Sequence, residues 1–317
     1  MTDTQNEAFK MPVNKIRLFE HGAPGSQNLK LTRKYYTEDM PDGRVKHIVQ
    51  NITDPDIVPY MPDGIGNSTD RQRIPAVLII PGGAFRRLVY NFEGEDVAKW
   101  LNSMGIAAFV LECRLPSDEH DNAEDVPLID AMRAMRVIRG RAQEFGIDEA
   151  KIGVMGFSAG GFMAALLSTA YESDVYADYK YKDEYDKLSA RPDFAVCSYP
   201  VISIDDCIEA GKRYMSEEQV LERISDSKAK ILHKYNPDKL VRPDMPPVFI
   251  CETDDDRTTL SENSVGFYMA ARKAGVSAEL HIFRTGGHGY GCGDDFAQTG
   301  EWKVLFTKWI KSIGILS

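Results

Sequence analysis

From residue 74 onward, short apolar runs alternate with stretches whose apolar residues recur at helical spacing. The run Ile74–Ile80 is typical, because it ends in Pro81-Gly82-Gly83. An apolar run bounded by such turn formers suits a strand that is buried on both faces. The same pattern predicts strands at residues 107–111, 152–155, 194–197, 248–251 and 278–283.

The stretches between these runs predict helices. In residues 126–145, the apolar side chains Leu128, Met132, Met135 and Ile138 are spaced for a single helical face. Other helices are predicted at residues 95–104, 159–169, 262–273 and 301–310. Alternating strands and helices place the chain in the α/β class, with a mostly parallel central sheet covered by helices on both faces.

The first 70 residues have a different character, since they are polar and rich in turn formers. Only residues 45–49 and 57–60 are predicted as strands there, at a sheet edge. We therefore predict an N-terminal extension over residues 1–70, packed on a core domain of residues 71–317. A chain of 317 residues is long enough to bury a large core without disulfides.

Two segments interrupt the alternation of strands and helices. Residues 171–187 hold five tyrosines among charged residues, and residues 205–241 contain helix-like stretches. Both are interpreted as insertions in the core domain. The second is either a cap over a site or a peripheral helix pair.

Composition narrows the possible partners. The chain carries 38 Lys and Arg against 48 Asp and Glu, a net charge of −10, which argues against nucleic acids and anionic membranes as partners. No apolar run is long enough to cross a membrane, and residues 1–7 lack the pattern of a secretion signal. Five scattered cysteines without a CxxC pair indicate reduced thiols and no metal site. We expect a cytoplasmic protein whose oligomeric state stays open, with a homodimer as one option.

The strongest chemical signal is the segment Gly156-Phe157-Ser158-Ala159-Gly160-Gly161. It follows a predicted strand and precedes a predicted helix, which is the setting of a nucleophile elbow. Such a turn strains the serine backbone and projects the hydroxyl above the sheet. The alternative is a glycine-rich turn in which Ser158 only caps the helix.

A nucleophilic serine requires a base, and the chain has six histidines. His288 lies in a glycine-rich segment just after the last predicted strand, where this topology places the base. His281 is interpreted as an ordinary strand residue, and His233 would reach the site only from a lid.

An acid is needed to orient the base and to stabilise its imidazolium form. Three aspartates follow the predicted strand at residues 248–251, and they compete for this role. Asp256 is our first choice, Asp255 the second and Asp254 the third.

Backbone N–H groups are the expected donors to the oxyanion of acyl transfer. The glycines after Ile74–Ile80 leave room for a substrate, so we expect the N–H of Gly83 or Ala84 to act together with that of Ala159. The alternative is a plain turn that ends the strand. Arg86 and Arg87, which follow, either contact a polar substrate or face solvent.

Several segments together resemble the esterase branch of the α/β-hydrolase fold that includes acetyl-xylan esterases and acetylesterases. They are residues 81–85, 93–95, 111–116, 156–161, 190–196 and 286–289. The resemblance implies Ser158 as nucleophile, His288 as base and an acid within residues 253–256. Counting back from the helix end at Ala274-Gly275 favours Asp256. The chain reads Pro-Gly-Gly-Ala where related lipases and esterases read His-Gly-Gly-Gly.

These observations predict a serine carboxylesterase that needs no metal or cofactor. Its substrates would be small-molecule or oligosaccharide esters with a short acyl group, namely acetyl or hydroxycinnamoyl esters of plant-derived carbohydrates. The alternatives are a serine peptidase of the oligopeptidase type and a non-catalytic binding protein on the same fold. A dinucleotide enzyme fits poorly, because the glycines after His288 lack the required spacing.

Overall fold

The computed structural model describes residue 9 and residues 14–64, 73–213, 215–216, 218–220, 227–293 and 298–316. Its strands are β1 (Ile16–Arg17), β2 (Lys34–Asp39), β3 (Val45–Gln50), β4 (Asp56–Tyr60), β5 (Ile74–Ile80), β6 (Leu88–Val89), β7 (Ala107–Glu112), β8 (Ile147–Phe157), β9 (Ala195–Ser198), β10 (Val248–Thr253) and β11 (Ala278–Phe283). They form an eight-stranded sheet in the order β1-β4-β7-β5-β8-β9-β10-β11 and a three-stranded sheet in the order β2-β3-β6.

In the large sheet, β7, β5, β8, β9, β10 and β11 run parallel to one another, and β4 runs antiparallel to its two neighbours β7 and β1. This confirms the predicted α/β class with a mostly parallel sheet. Strands β7, β9 and β10 are buried at every position, as continuous apolar runs require. The prediction of edge strands at residues 45–49 and 57–60 is wrong for both. Strand β3 lies between β2 and β6, and β4 pairs with β1 on one side and β7 on the other.

Helices cover the large sheet, and eight are given labels here: α1 (Asp96–Ser103), α2 (Val126–Gly140), α3 (Ala142–Phe145), α4 (Ala159–Ala170), α5 (Ile204–Lys212), α6 (Ser227–Lys234), α7 (Ser261–Lys273) and α8 (Trp302–Ser312). The single helix predicted over residues 126–145 is broken at Arg141. At Gly140 an added Cβ would lie 2.3 Å from the Tyr185 ring, so residues 171–187 pack closely against the end of α2. No helix among the described residues has the length and apolar character needed to span a bilayer.

The strand order places a crevice above β5 and β8. The chain passes from β5 to β7 on one side and then returns to β8 on the other side of β5. The loops that leave β5 and β8 therefore diverge at the carboxyl ends of these strands, and ligands of open α/β sheets bind at such a switch point.

The small sheet supports the loop that follows β5. Strand β6 comes directly after this loop and pairs with β3, where Leu88 lies opposite Val49. Asn91 adds a second connection, because its Oδ1 accepts the His47 N–H and its Nδ2 donates to the Val45 carbonyl. Residues 14–64 thus contribute strands to both sheets. The division at residues 70 and 71 stays a prediction, since that boundary lies outside the described residues.

The two predicted insertions pack on different parts of the core. Residues 171–187 lie against α2, where Arg133 bonds to Asp183 through both terminal guanidinium nitrogens. In the described part of residues 205–241, helix α6 packs near residues 116–118, and Lys234 forms a 2.7 Å ion pair with Asp125. Whether this segment is a lid stays a prediction, and residues 221–226 lie outside the described part of the chain.

Candidate active site

Ser158 stands at the sharp turn between β8 and α4. Its backbone has φ 54° and ψ −117°, a region that L-residues rarely occupy, and the side chain is 9% exposed. The turn requires glycine at Gly156 and Gly160, because other backbone groups occupy the space that a side chain would need. An added Cβ would lie 1.9 Å from the Ile80 carbonyl oxygen at Gly160 and 2.0 Å from the Gly160 carbonyl oxygen at Gly156. This is the backbone geometry of a nucleophile elbow.

His288 reaches Ser158 from the β11 loop, which comprises residues 284–293. Its Nε2 lies 2.9 Å from the Ser158 Oγ. Asp255 holds the start of this loop, because its Oδ1 accepts the N–H groups of Gly286 (2.9 Å) and Gly287 (2.8 Å). These bonds lower the pKa of Asp255, and the bond from Gly287 contributes most.

Asp256 lies on the opposite side of the imidazole. Its Oδ2 is 2.6 Å from the His288 Nδ1, and the side chain is 1% exposed. The other oxygen, Oδ1, accepts the N–H groups of Thr258 (2.7 Å) and Thr259 (3.0 Å). Of the three competing aspartates, Asp256 therefore contacts the imidazole, whereas Asp255 binds the loop backbone and Asp254 is exposed.

The β5 loop, which comprises residues 81–87, faces the serine. Gly83, Ala84 and Phe85 have positive φ values of 136°, 58° and 61°, so three successive peptide groups turn away from strand geometry. No acceptor in the described part of the chain takes a hydrogen bond from the N–H groups of Gly83, Ala84 or Ala159. Helix α4 begins at Ala159, so the dipole of this helix also favours negative charge beside Ser158.

A small apolar cavity lies beside this loop. It is bounded by Gly82, Phe85, Leu115, Ala159 and Met163, among other residues. Because Ala159 adjoins the serine, the cavity begins next to the nucleophile candidate. Arg86 is exposed, whereas Arg87 is among the residues that line this cavity and forms an ion pair with Glu38.

Sequence reasoning missed several polar residues that surround these groups. Thr259 Oγ1 lies 3.0 Å from the Asp256 Oδ2 and 3.2 Å from the His288 Nδ1. Glu93 and Tyr199 are buried between the loops, and Glu252 is buried beside Asp256. Only Glu93 carried a sequence signal, because it belongs to a segment of the noted resemblance. The others follow or end strands without a distinctive motif.

The remaining candidates lie elsewhere. His281 is a half-buried residue of β11 that bonds to Glu279, as a strand residue would. His233 belongs to α6, and no described contact links it to Ser158. The described residues contain no group of His, Cys, Asp and Glu side chains arranged to hold a metal ion. Cys113, Cys197, Cys251 and Cys292 are buried free thiols.

A mostly parallel sheet with an elbow serine after one strand, and an aspartate and a histidine after two later strands, defines the α/β-hydrolase fold. The chain belongs to the BD-FAE family, whose sequence pattern matches residues 63–270.

Solved structures are similar over most of the chain. The acetyl ester-xyloside bifunctional hydrolase from Caldicellulosiruptor lactoaceticus is 34% identical, with a TM-score of 0.72 over 96% of this chain and 97% of that one. Esterase Est2 from Thermogutta terrifontis is 24% identical, with a TM-score of 0.65 over 93% of this chain and 96% of its own, which supports the fold alone.

Curated relatives match over part of their length. An acetylxylan esterase from Xylanibacter ruminicola is 31% identical over 75% of this chain and 45% of its own length. Endo-1,4-beta-xylanase B from Butyrivibrio fibrisolvens is 31% identical over 69% of this chain and 33% of its own length. The chain thus spans less than half the length of these two relatives.

Proposed function

We propose that the protein is a serine carboxylesterase that hydrolyses acetyl esters of plant-type carbohydrates. The observation that carries this proposal is a pair of hydrogen bonds made by His288. Its Nε2 lies 2.9 Å from the Ser158 Oγ, and its Nδ1 lies 2.6 Å from the Asp256 Oδ2. Nucleophile, base and acid stand in the order and at the spacing that acyl transfer requires.

In the proposed mechanism, the Ser158 Oγ attacks the ester carbonyl carbon while the His288 Nε2 takes the hydroxyl proton. Asp256 accepts a hydrogen bond from Nδ1–H and stabilises the imidazolium that forms. The tetrahedral intermediate collapses by cleavage of the bond to the alcohol oxygen, which receives the proton from His288. Water then attacks the acyl-enzyme in the same manner and releases the carboxylic acid.

The N–H groups of Gly83 or Ala84 and of Ala159 are the proposed donors to the oxyanion. Support comes from their lack of acceptors among the described residues and from the positive φ values that turn the β5 loop. Donors that are already oriented require no reorganisation when charge develops on the carbonyl oxygen.

The acyl group is proposed to be acetyl. The small apolar cavity beside Ala159 suits a methyl group better than a long chain. The names of two relatives refer to acetylxylan and to acetyl ester-xyloside substrates, which favours a xylan-type alcohol. Hydroxycinnamoyl esters are the alternative acyl class, and they would require the larger ring to lie outside this cavity.

The proposal is tested with p-nitrophenyl esters of increasing chain length. We expect the acetate to have the highest kcat/KM, and Ser158→Ala to lower kcat by roughly 10⁴- to 10⁶-fold. Ser168→Ala is the matched control, because this buried hydroxyl of α4 bonds only to the Ala164 carbonyl in the described structure. Equal rates for the wild-type enzyme and Ser158→Ala would refute the assigned nucleophile.

A second panel identifies the alcohol. It compares acetylated xylo-oligosaccharides, feruloyl esters and aryl acetates under identical conditions. We expect release of acetate from the xylo-oligosaccharides at a kcat/KM at least equal to that for aryl acetates. Activity confined to feruloyl esters would replace the acetyl assignment with the hydroxycinnamoyl one.

A further inference from the structure

Glu93 is a buried carboxyl group that the proposed mechanism does not use. It follows β6 in the helical turn Asn91–Glu95 that leads into α1, and the residue is only 5% exposed. A buried carboxyl must be fully hydrogen-bonded to be tolerated. The partners of Glu93 therefore indicate its role.

Both carboxyl oxygens of Glu93 accept hydrogen bonds from site loops. Oε2 accepts the Gly82 N–H of the β5 loop at 2.8 Å. Oε1 accepts the hydroxyl proton of Tyr199, the residue directly after β9, at 2.9 Å. The Tyr199 hydroxyl oxygen in turn accepts the Gly291 N–H of the β11 loop at 3.1 Å. One carboxyl group thus connects the loops that follow β5, β9 and β11.

The same residues lie directly against the reacting groups. The Tyr199 ring packs edge-on against the His288 ring, with 5.0 Å between centroids. At Gly82 an added Cβ would lie 2.8 Å from the Glu93 Oε2 and 2.9 Å from the Ser158 Cβ. A shift of the Glu93 carboxyl is therefore transmitted to the β5 loop and, through Tyr199, to the imidazole.

Two further features show that this arrangement is constrained. Tyr199 has φ 37°, a backbone conformation unfavourable for a non-glycine residue, so surrounding contacts must hold it. Burial raises the pKa of Glu93, while the nearby His288 side chain and the bonds from Tyr199 and Gly82 oppose this shift. Lys46 opposes it as well, so the carboxyl lies among cationic and donor groups.

We propose that Glu93 is a positioning residue that fixes the β5 loop relative to His288, so that the oxyanion donors are in place before the ester binds. This inference rests on the proposed esterase function of Ser158 and His288. Donors held at the correct distance act on the transition state more than on the bound substrate. Loss of the positioning should therefore lower kcat rather than raise KM.

Glu93→Gln tests the proposal with little change in volume. A glutamine has one acceptor oxygen, so it cannot accept from both Gly82 and Tyr199 as the carboxyl does. We expect kcat for p-nitrophenyl acetate to fall by about 10- to 100-fold, with KM within about twofold of the wild-type value. Glu95→Gln is the matched control, because Glu95 pairs at the surface with Lys99 and should keep the wild-type kcat.

Tyr199→Phe removes the second link while keeping the ring beside His288. We expect a loss of about tenfold in kcat, and little further loss when this change is added to Glu93→Gln, because both residues act through one network. Losses that multiply independently would contradict a shared network. If Glu93→Gln does not fold by circular dichroism, Tyr199→Phe decides alone, and an unchanged kcat overturns the proposal.

The outcomes also separate this inference from the proposed function. If Ser158→Ala is inactive and Glu93→Gln keeps kcat within about twofold of wild type, only the role of Glu93 is refuted. A raised KM with unchanged kcat refutes it as well, because ground-state binding would then be affected. If Ser158→Ala stays active, the esterase mechanism itself is refuted.

Discussion

The β5 loop and the β10 loop (residues 254–260) contribute to the site in different ways. The β5 loop offers backbone N–H groups, and three of its successive residues have positive φ. The β10 loop offers a side-chain carboxylate, Asp256, and none of its residues has positive φ. One loop therefore depends on its backbone conformation and the other on a single side chain.

The two loops are also stabilised over different distances. The Asp256 carboxylate is held by N–H groups two and three residues further along its own loop. The β5 loop is held by remote groups, namely Glu93, 11 residues from Gly82 in sequence, and strand β3 of the small sheet. Substitutions in the β10 loop should thus act at the replaced residue, whereas the β5 loop should respond to changes far from it.

Among substitutions in the β10 loop, Asp256→Asn should lower kcat the most. An amide is uncharged and cannot stabilise the imidazolium as a carboxylate does, and its NH2 group can face Nδ1 and favour the wrong tautomer, so we expect kcat to fall by roughly 10³- to 10⁴-fold. Thermal unfolding should show that the protein remains folded, and steady-state kinetics with p-nitrophenyl acetate measures the loss.

Asp255→Asn is the control next to it in sequence. The asparagine oxygen can still accept the N–H groups of Gly286 and Gly287, so kcat should fall by less than about tenfold. A larger loss in Asp255→Asn than in Asp256→Asn would assign the acid to Asp255. It would also remove the distinction between a side chain that contacts His288 and one that holds its loop.

The same contrast explains how much of the site sequence alone predicts. Ser158, His288 and the aspartates stand beside predicted strand ends, and their chemistry is evident from residue type. The structure brings Ser158, His288 and Asp256 together, while their roles stay predictions. Glu93 and Tyr199 could not be assigned from sequence, because their role depends on hydrogen bonds across 106 residues of chain.

The fold shows a similar limit. Buried strands such as β7 and β10 are evident as apolar runs, since both faces are covered. Strands β3 and β4 lie inside their sheets rather than at the predicted edges, because pairing is set by tertiary contacts and leaves no local signal in the sequence. The break at Arg141, where the Tyr185 ring packs against Gly140, leaves no trace in the periodicity of residues 126–145.

Gly83→Ala tests the β5 loop through its backbone. An added Cβ would lie 2.1 Å from the Arg87 carbonyl oxygen at φ 136°, so the loop must move. We expect kcat to fall by about 10²- to 10³-fold, as for the loss of an oxyanion donor.

Gly105→Ala is the matched control, since this glycine also has positive φ but an added Cβ there would meet no atom within 4 Å. It should cost about 1 kcal/mol of stability, because alanine adopts positive φ less readily than glycine, and leave kcat unchanged. Equal kcat values for the two variants would contradict the role of the loop backbone.

The smallest expected effect concerns Glu252, the buried carboxyl that precedes the β10 loop. Its burial, and then the charge of Asp256, raise the pKa of Glu252 well above its ordinary value. A carboxyl with a raised pKa holds a proton that the unfolded chain releases, so its unfavourable contribution to stability grows as the pH rises above about 4. Glutamine has no proton to release.

Glu252→Gln should therefore gain stability relative to wild type between pH 4 and pH 8, as measured by urea unfolding midpoints. The opposite sign is expected at Glu144, since a hydrogen bond from Arg141 lowers the pKa of Glu144. Glu144→Gln should be less stable than wild type above about pH 4, and this difference should shrink as the pH falls further. A difference for Glu252→Gln that is the same at pH 4 and at pH 8 would mean that folding does not raise the pKa of Glu252. Strand β10 would then carry a buried carboxylate just before its loop, and the comparison with the β5 loop, where one buried carboxyl binds backbone donors, would have to be redrawn in terms of charge.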